Sequence, residues 1–189
     1  MEMNKCGVSP VVAIVLILML TVAAIAIVAG FVIPFIRNQL QKGTECIDYM
    51  DYFTFEESFE LGGEKYKYNC YTSVGADILN GASVRTSSDE SLMEGIKGFK
   101  LIFLGTGASK SVDIIDGEVV SGVKMLGIAG ENLELPGAGE LRTYVYTSSE
   151  VFQKMEIYPI LKNDRVCEMN DEIRLIQCYG DVETQIKGA

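Results

Sequence analysis

Two acidic clusters, one glycine-rich turn and five cysteines are the residues whose types and spacing could carry chemistry. Asp113, Asp116 and Glu118 crowd one stretch and offer oxygens to a hard cation such as calcium. An EF-hand-like loop places oxygens at alternate positions over about twelve residues. Ile114 and Ile115 interrupt that spacing, which favours a structural turn. Asn163, Asp164, Glu168, Asn170, Asp171 and Glu172 form a second oxygen-rich patch beside Cys167 and read as the solvated flank of a hairpin. The glycines of LGTGASKS echo a phosphate loop, but the Walker spacing and its closing Lys-Ser/Thr are missing, and a strand-to-loop turn is the simpler reading. Ser109 and Ser111 have no base beside them. The chain contains no histidine, which is the commonest general base and metal ligand, and serine is a weak nucleophile without one. These residues predict no enzyme, no cofactor and no metal site.

None of the cysteines, Cys6, Cys46, Cys70, Cys167 and Cys178, forms a CxxC pair, which argues against zinc or thioredoxin-like chemistry. The last four suit two disulfides in a domain displayed outside a membrane. Four cysteines allow three connectivities. The pairings nearest in sequence, Cys46–Cys70 and Cys167–Cys178, lead that set, with free buried thiols as the alternative.

The elements that must position these groups divide sharply. No Asp, Glu, Lys or Arg interrupts residues 8 to 36, VSPVVAIVLILMLTVAAIAIVAGFVIPFI. Roughly 20 apolar residues span a bilayer as a helix, and a cleavable secretory signal has an apolar core of only about 7–15. The stretch therefore reads as a permanent helix. Everything after Arg37 is mixed, strand-like and acidic. All but two of the 16 basic and all but one of the 26 acidic residues lie beyond it. That gives the head a net charge of about −11, which suits a soluble, exposed domain. A phosphate backbone needs basic patches, so a nucleic-acid partner is excluded.

Pro10 suits the first turn of a helix and Ser9 its N-cap. A helix reaching Gln41 would be roughly 45 Å long at about 1.5 Å per residue, with Pro34, four residues after Gly30, kinking it. Ala26 and Gly30 form a small-xxx-small pair that lets apolar helices approach closely. Lys42-Gly43-Thr44 reads as the break before the head. Beyond it, turn signals punctuate short apolar runs. FTFEESFEL and EKYKYNCYTSV flank Gly62-Gly63. ADIL and ASVRT flank Asn80-Gly81, a pair suited to a type I′ hairpin turn, and SVDII and EVV flank Asp116-Gly117. Phe99, Leu101 and Phe103 alternate, as do Leu141, Thr143 and Val145 with Tyr144 and Tyr146 opposite, then Met155, Ile157 and Pro159, then Ile173 and Leu175. About nine short strands predict an antiparallel sandwich. Ser83 to Glu94 is expected as an exposed loop and the DVETQIKGA tail as a frayed end. Tyr49, Tyr52, Phe53 and Phe55 suit a membrane surface, a subunit contact or the head's own core.

The start, MEMNKCG before VSPVVAIVLILML, sets a short polar leader directly against the apolar helix. It resembles the archaeal type IV pilin and archaellin-like family, whose short basic class III leaders end in glycine before such a helix. The likeness covers about residues 4 to 33, and Gly7, Val8, Ser9, Pro10, Val11 and Val12 are its specific part. Cys6 stands here where the family has a basic residue, and no N-x-S/T sequon occurs. The resemblance implies cleavage between Gly7 and Val8 by a prepilin peptidase, which would remove Cys6 and leave four cysteines. It also implies a head outside the cell, assembly of the helices into a surface filament, and dependence on pilus assembly machinery.

The expected fold class is α+β, with a leader at residues 1–7, an apolar helix at 8–41 and a β-sandwich at 44–189. The expected function is that of a pilin-like filament subunit, possessing membrane and self-association partners and adhesive at the family level. The alternative is a single-pass anchored binding domain that never polymerises.

Overall fold

The structure, a computed structural model, describes residues 10–61, 63–128, 130 and 132–189. It is α+β, and the chain divides after Ile47 into two units. The first contains α1 (Pro10–Ile27), a π-helical turn at Val28–Val32, and α2 (Ile33–Ile47). Pro34 has no N–H to give the carbonyl of Gly30. The disturbance is taken up as one wide turn, in which the Ile33 N–H donates to the carbonyl of Val28, five residues back. The helix does not stop at Lys42-Gly43-Thr44 but continues to Ile47. A single interior glycine costs about 1 kcal/mol relative to alanine, which is too little to end a helix by itself. The chain turns at 48–51, where Asp51 takes φ 59° and the Tyr52 N–H donates to Tyr49 O at 3.2 Å.

The head, Asp48–Ala189, is a two-sheet, sandwich-like domain. Its strands run β1 (Phe53–Phe55), β2 (Phe59–Leu61), β3 (Glu64–Tyr66), β4 (Cys70–Val74) and β5 (Asp77–Thr86). The short α3 (Glu90–Met93) follows, then β6 (Ile96–Leu104), β7 (Ser109–Ile115), β8 (Val123–Met125) and β9 (Leu141–Ser148). β10 (Lys154–Leu161), β11 (Asp171–Arg174), β12 (Ile176–Gln177) and α4 (Gly180–Lys187) complete it. One sheet has the order β12-β4-β5-β9-β8, with β1 also on β5, and the other has β11-β10-β6-β7. All pairs are antiparallel except β12 with β4. Among the described residues, β2 and β3 pair only with each other.

The predicted alternation holds where one face of a strand meets the core. Phe99, Leu101 and Phe103 of β6 and Met155 and Ile157 of β10 are all buried. Phe99 meets Phe53 at 4.9 Å and Tyr144 at 5.4 Å between ring centroids, and Phe103 meets Tyr146 at 5.0 Å, so aromatic rings join the two sheets.

Several local expectations are corrected. Asn80-Gly81 is no turn: it lies inside the ten-residue β5, between β4 and β9. The hairpin closes instead at Gly75-Ala76, where Val74 faces Asp77 and Gly75 has φ 63°. Gly81 serves close approach, since a Cβ there would stand 2.2 Å from Tyr68 O. Gly62-Gly63 does separate a hairpin, but only FEL and EKY pair across it, while FTF and CYTSV both join β5. Asp116-Gly117 turns, yet EVV does not return along β7, because Val119 bridges Asn132 instead. Ser83 and Thr86 are buried in β5, so the exposed segment is only its continuation around α3. The tail is α4 rather than a frayed end, with Val182 and Ile186 buried.

Candidate functional site

The apolar helix is the first candidate. Among the described residues one helix, Pro10–Arg37, is long and apolar enough to cross a membrane. Its 28 residues reach about 42 Å at 1.5 Å each, against roughly 30 Å of hydrocarbon. No residue of that span is buried. Its one hydroxyl that needs a partner, Thr21 Oγ1, donates to Leu18 O at 2.9 Å. Ala26 lies in α1 and Gly30 in the π turn, both exposed, and nothing stands within 4 Å of where a Gly30 Cβ would be. Gly7, Val8 and Ser9, the predicted processing and capping residues, lie outside the described residues.

The four described cysteines are oxidised. Cys70 is bonded to Cys178 across 108 residues, with Cα atoms 5.0 Å apart, and Cys46 and Cys167 are disulfide-bonded as well. The sequence-nearest pairings, Cys46–Cys70 and Cys167–Cys178, are therefore wrong. The reason is topological: β12 lies parallel to β4 with Ile176 opposite Cys70, which carries Cys178 to the same sheet edge. Oxidised cysteines in α2 and in the head fit a chain whose part beyond the apolar span folds in an oxidising space outside the cytoplasm.

The acidic clusters are engaged in structure. Asp113 Oδ1 accepts from Lys100 Nζ at 2.5 Å, and Asp116 Oδ1 from the Leu135 N–H at 3.1 Å. Asp164 pairs with Lys97, Asp171 Oδ2 caps the Phe55 N–H at 2.7 Å, and Asn170 Nδ2 donates to Tyr49 O at 2.9 Å. No three of His, Cys, Asp and Glu converge as a metal ligand set among the described residues. LGTGASKS forms the β6–β7 hairpin turn, closed by the Gly105 N–H to Ala108 O at 2.8 Å, with Gly107 at φ 95°. Tyr52, Phe53 and Phe55 are buried in the head, leaving Tyr49 half-buried at its margin.

Sequence reasoning missed two polar centres. Lys154 Nζ lies 2.8 Å from Glu156 and 2.6 Å from Glu172. Those hydrogen bonds raise the Lys154 pKa well above the ordinary lysine range, and Lys154, with help from the Tyr158 hydroxyl, lowers that of Glu156. The alternation of charge along KMEIY was the available signal. The second is Arg142, held by Glu134 at 2.7 Å and beside Glu140 at 3.9 Å, in the wall of a cleft of about 360 Å³ with Tyr68, Met125 and Leu126. A shallower groove of about 400 Å³ is lined by Ser111, Val112 and Asp113 of β7 and by Val120, Ser121 and Tyr146. Tyr144 is buried, which pushes its phenol far above the usual value, and its hydroxyl donates to Glu134 O at 2.6 Å.

The helix offers apolar contact, the head offers a stapled, acidic surface, and most polar side chains of the two acidic clusters are bound up in holding strands and loops in place. No protein-family model, curated protein or solved structure matches the chain.

Proposed function

We propose that the protein is a non-enzymatic, pilin-like surface subunit. In this reading the leader is removed after Gly7 by a prepilin peptidase. The helix from Val8 holds the subunit in the membrane and later packs against its neighbours in a filament, and the oxidised head faces outward. The observation that carries the reading is an apolar helix of 28 residues with no residue buried, attached to a separately cored head. An apolar surface of that extent needs lipid or other helices around it. The MEMNKCG–VSPVV junction and the Ala26–Gly30 pair support packing against other copies.

The test is electron microscopy of material sheared from cells making the full chain, beside an Ala26→Leu/Gly30→Leu variant. Filaments that bind antibody to the head, reduced at least tenfold in the variant while its membrane level is unchanged, are expected. Membrane-confined protein with no filament would favour the anchored binding domain.

A further inference from the structure

β7 is the open edge of its sheet. It pairs with β6 on one side and, among the described residues, with no strand on the other. The Asp116 N–H donates to Lys97 O, which continues the β6 ladder with the same register. By antiparallel alternation Ile114, Val112 and Lys110 then face β6, while Ser109, Ser111 and Asp113 turn their backbone N–H and C=O groups outward. Among the described residues none takes those outward groups. Such an edge is a template for another strand. Beside it lies the groove lined by Ser111, Val112, Asp113, Val120, Ser121 and Tyr146. Strand addition uses this combination: main-chain bonds supply affinity and a side pocket supplies selectivity.

The same chain carries a strand in need of a sheet. β2 and β3 form a two-stranded arm, paired with each other and, among the described residues, with no other strand; Tyr66 of β3 packs on the cluster of Tyr68, Cys70 and Val145, and the second edge of β2 is left without a ladder partner. Its sequence, Phe59-Glu60-Leu61, alternates apolar and charged residues with the period of a strand. Charge also matches. From Glu57 to Tyr66 the arm has Glu57, Glu60 and Glu64 against Lys65. The β7 edge has exposed Lys110, and its one acid, Asp113, is already neutralised by Lys100.

We propose that the β2–β3 arm of one copy adds to the outward edge of β7 in a second copy, with β2 as the added strand. Donor and acceptor are different surfaces, so the contact is head-to-tail and propagates rather than closing a pair. It rests on the self-association reading above and names the head surfaces that would serve it.

The test mixes unlabelled and nitrogen-15-labelled full chains in one membrane reconstitution. A short amine-reactive cross-linker is added, followed by mass spectrometry and microscopy of the same sample. The expected result is a Lys65–Lys110 link joining a labelled to an unlabelled chain. Ser111→Pro, which removes an outward N–H without touching the β6 ladder, should lower its yield at least tenfold with an unchanged melting temperature. Filaments without the mixed link, a link only within single chains, or a foreign peptide on Lys110 would each overturn the proposal. The mixed link without filaments would uphold the arm contact and count against the filament reading. Absence of both would defeat the two together.

Discussion

At Gly81 the backbone of β5 runs so close to Tyr68 that an added Cβ would also stand 2.5 Å from Ile186 Cδ1. Backbone cannot yield as a flexible side chain can, so Gly81→Ala should destabilise the head by about 1–3 kcal/mol, the usual scale for overpacking. The shift of its denaturation midpoint against wild type measures this. Glu156 supplies a pH prediction. Its carboxyl is held below the ordinary glutamate range mainly by Lys154. The folded state therefore binds fewer protons than the unfolded chain in that window. Its contribution is complete above the unfolded value, near pH 4.3, and is lost as pH falls through the lowered folded value. Glu156→Gln should melt about 1 kcal/mol less stably at pH 7, and its melting temperature should fall less steeply than wild type between pH 5 and pH 3 as read by calorimetry.

Among the elements, α4 and β12 tie the chain's last residues to the sheet edge. Ile186 is fully buried in the cluster of Tyr68, Cys70, Val145, Cys178 and Val182. Ile186→Ala should cost about 2–5 kcal/mol. Replacing Cys70 and Cys178 together by serine, which opens a loop of 108 residues, should cost a similar amount on the chain-entropy scale of about 4.7 kcal/mol for 100 residues. Denaturant titration of the full chain in detergent reads both. The same elements mark what could be seen in the sequence. The helix was legible because no charge interrupts it, and β6 and β10 because each has one face on the core. α4 left a signal too, with Val182 and Ile186 four apart, Asp181 and Glu183 in the first turn and Lys187 in the last. Asn80-Gly81 misled because its local turn preference is overridden by pairing on both sides of β5. Cysteine connectivity was unreadable, since it depends on a parallel neighbour more than 100 residues away along the chain.

For the whole molecule, the acidic clusters, which looked most like sites, have structural partners. What stands out beside them is an apolar helix with no buried residue and, among the described residues, two strand edges without a ladder partner, the outer edge of β7 and that of β2. All three suit a protein whose business is with other copies of itself. Leader removal distinguishes that account most directly from an anchored domain, because in that account it would free the helix for assembly and discard Cys6 while leaving the four oxidised cysteines. The decisive measurement is the intact mass and N-terminal sequence of the native protein, taken separately from membranes and from sheared surface material. The account predicts a mature chain starting at Val8, carrying two disulfides, in the sheared fraction. A chain starting at Met1 and confined to membranes would contradict it.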